Sequence, residues 1–116
     1  MGLYYKSTRN SNLKVTASEA ILKGLAPDGG LFVPSELPKL DVTMSDLKGK
    51  TYQEIAYLVM KQFLTDFTEE ELKNCIDKAY DSKFDTEEIA PLVKVDDTYY
   101  MELFHGATIA LDIGGT

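Results

Sequence analysis

Thr16-Ala17-Ser18-Glu19-Ala20-Ile21-Leu22-Lys23-Gly24-Leu25-Ala26-Pro27-Asp28-Gly29-Gly30-Leu31-Phe32-Val33-Pro34 holds a helix, a turn and a strand in one short stretch. Thr16 and Glu19 stand at capping-box spacing: the threonine oxygen accepts from a free helix N–H while the glutamate reaches back to the cap. Ala17, Ala20 and Ile21 share one helical face, and Gly24 is a natural stop, so the helix is short. Pro27 fixes its own φ and the following glycines accept positive φ at little cost, which makes Pro27 to Gly30 a tight turn. That turn feeds a strand, Leu31 to Val33, closed by Pro34, a residue that cannot donate to a ladder.

Working outward, Leu3 to Lys6 is short and tyrosine-rich, as a strand is, and the polar Ser7 to Asn12 reads as a loop. Ser35 to Leu40 is an extended, proline-limited connection, and Thr43 to Leu47 a single helical turn. Thr51 and Glu54 repeat the capping box, and Tyr52, Ile55, Ala56, Val59, Met60 and Phe63 recur at the spacing of a buried stripe, which predicts a helix over 51–64. Thr68 and Glu71 cap a further helix, with Leu72, Cys75, Ile76 and Ala79 facing inward. Leu92 to Val95 and Tyr99 to Phe104 read as two strands joined by a turn through Asp96-Asp97-Thr98. The fold class expected is α+β, a small β-sheet with three or more helices.

The chain has 116 residues, enough for one domain with a modest core. No apolar run approaches the ~18 residues of a membrane helix, and the opening Met1 to Lys6 lacks the basic and apolar regions of a signal peptide. The single cysteine, Cys75, cannot form an internal disulfide. Together these lead to the expectation of a cytoplasmic protein. A net charge of −7 disfavours phosphate backbones and anionic lipid, so neither nucleic acid nor membrane is expected as a partner.

Two segments carry a family resemblance. Gly24 to Pro34, preceded by Tyr5-Lys6-Ser7-Thr8-Arg9, closely resembles the run near the start of threonine synthases. Glu102-Leu103-Phe104-His105-Gly106-Ala107-Thr108-Ile109-Ala110-Leu111-Asp112 is similar to the segment that carries the cofactor lysine in that family. The resemblance implies the amino-terminal domain of a fold-type II pyridoxal-phosphate lyase that converts O-phospho-L-homoserine and water into L-threonine and phosphate. It implies that residues 1–104 form that domain and that residues 105–116 are the truncated start of the cofactor domain. The lysine that the family places between Leu111 and Asp112 is absent here, and none follows Lys94. The chain alone is therefore expected to be inactive, with no catalytic residue and no bound cofactor. His105, Gly106, Thr108 and Asp112 are the residues expected nearest the cofactor of the parent enzyme, whose remaining chain is the expected partner. The apolar residues of 109–116 are expected to be held by a neighbouring molecule, as in a homo-oligomer. Two rival readings are a non-catalytic binding or assembly module, and a threonine-synthase-like lyase acting on another phosphorylated amino acid.

Taken as bare residues, the candidates keep two readings each. His105, the only histidine, either stands beside a cofactor as a proton carrier or fixes its loop by hydrogen bonds. Gly106 permits a bend, and Thr108 either caps the next element or faces the cofactor pocket. Asp28-Gly29-Gly30 lacks the lysine and following helix of a phosphate-binding loop, which favours a turn. Glu69 to Glu71 suit a solvated helix start better than a metal, and no cluster has zinc or calcium spacing. Cys75 is expected to be buried and inert. Of the doublets Tyr4-Tyr5 and Tyr99-Tyr100, one ring each is expected inside and the other outside.

Overall fold

The computed structural model describes residues 2–81 and 84–106. Two compact units divide the chain, Met1–Leu72 and Lys73–Thr116.

In the first unit, β1 (Tyr5–Ser7) is the centre of a three-stranded antiparallel sheet, with β2 (Asn10–Val15) on one side and β3 (Phe32–Pro34) on the other. Tyr5 pairs with both Val15 and Pro34, and the β1–β2 register shifts between Tyr5 and Ser7. The polar segment expected to be a loop is thus largely a strand, returning through Thr8-Arg9. Its side chains from Asn10 to Asn12 and at Lys14 are exposed, and only Val15 is buried. An edge strand lying against water carries no apolar alternation, so its sequence hides it.

Helix α1 (Ala17–Lys23) has the full capping box, with Glu19 N–H donating to Thr16 Oγ1 at 3.3 Å and Thr16 N–H to Glu19 Oε1 at 3.5 Å. Gly24 ends it at φ 73°. Ala17 and Ala20 are buried, but Ile21 is 59% exposed. The buried face centres between the two alanines, and Ile21 falls on its flank. Asp66 supplies a second cap from a distant loop, accepting from Ser18 N–H at 3.1 Å and from the Ser18 hydroxyl.

α2 (Met44–Leu47) is the single turn expected, with Thr43 at its N-cap. α3 (Tyr52–Phe63) is likewise present, boxed by Thr51 and Glu54. Its end is tied to the sheet, where the Tyr5 hydroxyl donates to the Phe63 carbonyl at 2.7 Å and Leu3 N–H to Thr65 Oγ1 at 2.9 Å. The apolar stripe of α3 is not a buried core: no residue of the helix is fully buried and Tyr52 is exposed.

α4 (Glu69–Ala79) starts at its Thr68–Glu71 box. Leu72 and Ile76, each 3% exposed, and Tyr80 just beyond the helix form its buried row. Cys75 is exposed, against expectation. The row runs at i, i+4, i+8 from Leu72, which turns the Cys75 position away from it.

In the second unit β4 (Leu92–Val95) and β5 (Thr98–Met101) form a hairpin with Val93 opposite Tyr100 and Lys94 opposite Tyr99. Asp96, at φ 54°, makes the two-residue turn with Asp97, the left-handed conformation that such tight hairpins require. Every residue of both strands is exposed. Tyr99 and Tyr100 are both outside, so the second doublet does not divide as expected. Four helices and two antiparallel sheets among the described residues bear out the α+β class.

Candidate functional site

The motif enters the described structure at its first five residues, Glu102 to Gly106. Glu102 directly follows β5, and its N–H donates to the Pro91 carbonyl at 2.9 Å, which extends the hairpin ladder by one step. Three residues on, the His105 ring lies between two acids. Nε2 meets Glu102 Oε1 at 2.8 Å, and Nδ1 meets Asp85 Oδ1 of segment 84–90. The Asp85 N–H also donates to the His105 carbonyl at 3.1 Å, and the Phe104 ring lies 4.5 Å from the imidazole, centroid to centroid. The histidine side chain is 10% exposed, against 28% for Glu102 and 69% for Asp85.

Hydrogen bonding to Glu102 raises the His105 pKa above the ordinary 6.5; desolvation opposes this, and the bond and charge of Asp85 add to it. The arrangement holds a proton on the ring. Of the two readings of His105, the described contacts are those of a histidine fixing its loop, but through carboxylates more than backbone. Gly106 is buried at the end of this segment. Thr108, Leu111 and Asp112, and the contacts expected of 109–116, lie outside the described residues. The partnership with Glu102 is readable in the sequence as an i, i+3 pair, whereas Asp85, twenty residues upstream, is brought in only by folding.

The glycine turn in the first unit is held from within. Ser7 Oγ donates to Asp28 Oδ1 at 2.7 Å, Gly30 N–H to the same oxygen at 2.9 Å, and Arg9 Nη1 to the Asp28 carbonyl at 3.0 Å. The Ser7 bond, then that of Gly30, lowers the Asp28 pKa. A carboxylate occupies the donors of this turn and strand β3 follows it, so the turn reading stands over the phosphate loop. Glu69 to Glu71 form the first turn of α4, and no metal-ligand group occurs among the described residues.

Fold and site define a small α+β module that presents a motif histidine clamped by acids. Residues 4–80 match the family model described as threonine synthase N terminus. The chain belongs to that family. It is 41% identical over 110 residues to threonine synthase from Schizosaccharomyces pombe, covering 91% of this chain and 21% of that protein. It is 40% identical over 96 residues to human threonine synthase-like 1, covering 78% of this chain and 13% of that one. The solved structure of pyridoxal-phosphate-bound threonine synthase from Brucella melitensis superposes with a TM-score of 0.81 at 34% identity, over 95% of this chain and 24% of that one. This chain therefore spans about a fifth to a quarter of the length of the threonine synthases it matches.

The His105 ring, as described, is not free to hold the phosphate of pyridoxal phosphate. Both His105 nitrogens are engaged by carboxylates, which also repel a phosphate, and the sequence has no lysine after Lys94.

Proposed function

We propose that residues 1–104 act as the amino-terminal domain of a pyridoxal-phosphate lyase that converts O-phospho-L-homoserine and water into L-threonine and phosphate. The observation that carries this reading is the likeness along nine-tenths of the chain to threonine synthases, supported by superposition on a member with the cofactor bound. In this reading residues 105–116 open the cofactor domain, with Gly106, Thr108 and Asp112 beside His105 on the approach to the cofactor. The cofactor domain is the partner, and the cytoplasm the setting. With no lysine between Leu111 and Asp112, the chain by itself holds no cofactor covalently and turns over no substrate.

The test is a chimera in which residues 1–104 replace the matching segment of the Schizosaccharomyces pombe threonine synthase. Phosphate release from O-phospho-L-homoserine is expected to continue, while the 116-residue chain mixed with pyridoxal phosphate shows neither release nor a cofactor absorbance that survives dialysis. A chimera that folds and retains cofactor but releases no phosphate from this substrate overturns the reading. A second reading is a threonine-synthase-like lyase acting on a different phosphorylated amino acid, kept beside the first because one relative is named threonine synthase-like rather than threonine synthase. Release from such a compound in preference to O-phospho-L-homoserine would select it.

A further inference from the structure

The clamp around His105 places a two-sided demand on the ring. Ionised carboxylates only accept hydrogen bonds, and both ring nitrogens point at one: Nδ1 at Asp85 and Nε2 at Glu102. A neutral imidazole has one N–H and one lone pair, so in either tautomer one nitrogen would face a carboxylate oxygen lone pair to lone pair. Only the doubly protonated ring satisfies both contacts. The charged groups acting on the ring are Asp85 from segment 84–90 and Glu102 just after β5, both acidic.

We propose that His105 is a pH-sensitive latch that pins segment 84–90 to segment 102–106, closed while the imidazole carries two protons and opened by the loss of one. The arms are unequal. Glu102 is the less exposed acid and sits on the same short run of backbone as the histidine, so the remaining proton stays on Nε2 toward Glu102. Asp85 is largely solvated and is released. Its backbone N–H to the His105 carbonyl is the bond that loosens with it. The device sits where the family-like motif leaves the hairpin, so the state of one proton sets how firmly residues 102–106 are held. It does not depend on the reaction proposed above.

Because His105 is the only histidine, its ring signals in an NMR titration of the 116-residue chain belong to it alone. The expected midpoint lies above the ordinary 6.5. Across that midpoint the hydrogen-exchange protection of the Asp85 amide, corrected for intrinsic pH dependence, falls about tenfold or more, while the Val93 and Tyr100 amides of the hairpin keep theirs. Glu102→Gln lowers the midpoint, and Asp85→Asn abolishes the pH dependence at the Asp85 amide; the hairpin amides report whether each variant is folded. A midpoint at or below 6.5, or Asp85 protection that does not change across it, overturns the latch whatever the outcome of the chimera.

Discussion

A methyl group added at Gly30 would stand 2.3 Å from Ser7 Oγ and 2.8 Å from Thr8 Oγ1. Ser7 is buried and its hydroxyl holds Asp28, so neither oxygen can yield without loosening the turn. Gly30→Ala is therefore expected to lower stability by about 1 to 3 kcal/mol, read as a shift in urea midpoint. Asp66 acts at the same scale, since its carboxylate takes the second free N–H of α1. Asp66→Ala should cost about 0.5 to 2 kcal/mol, the range of a lost helix cap. Ser18→Ala, which keeps the backbone donor, should cost less. Equal losses from the two would show that the hydroxyl contact, not the cap, holds the loop.

Among the helices, α4 concentrates burial in Leu72 and Ile76, while α3 spreads it thinly along its length. Ile76→Ala should accordingly cost about 2 to 5 kcal/mol by lost burial and a residual cavity. Ile55→Ala, on the half-buried α3, should cost roughly half as much because less apolar area leaves water. Denaturation curves that rank the two in reverse would show that the α3 stripe is the better-packed face. Cys75, turned away from the buried row and exposed on α4, should react with about one equivalent of an aromatic disulfide reagent without denaturant. Protection until unfolding would place the thiol inside.

Over the whole chain, stability follows the acids at low pH and the histidine at high pH. Asp28, Asp46 and Glu71 are held below their ordinary values chiefly by hydrogen bonds, from Ser7 for Asp28 and from Thr43 and Thr68 for the other two. At Asp66 burial pulls upward, but hydrogen bonds from the Ser18 hydroxyl and N–H, its own backbone and Thr16 together outweigh it. These contributions are complete above the ordinary values, 3.8 for Asp and 4.5 for Glu, and are lost as pH falls through the lowered ones. The His105 contribution has the opposite sign, complete below 6.5 and lost as pH rises through its raised value. Urea midpoints should form a plateau between these limits and fall on both sides. His105→Gln should remove the first alkaline fall and leave both the acid limb and the later loss from Tyr5, which burial raises above the ordinary 10.0, whereas a first fall that survives the substitution assigns it to another group.

Local chemistry made much of this molecule legible in its sequence. The boxes at Thr16, Thr51 and Thr68, the Gly24 stop, the Pro27 to Gly30 turn and the 92–101 hairpin are each completed by residues a few positions apart, so their spacing alone determined them. The Glu102–His105 pair is equally local, three residues apart, but was not singled out from the sequence. The sequence did not reveal β2, whose pairing is made by backbone N–H and C=O groups that no side-chain pattern records. Nor did it show that the α3 stripe stays half-buried, that Cys75 faces out, or that Asp85 and Asp66 reach back to His105 and Ser18. Those were decided by tertiary structure, because burial and long-range hydrogen bonds depend on which surfaces meet, and periodicity specifies a face without specifying what covers it.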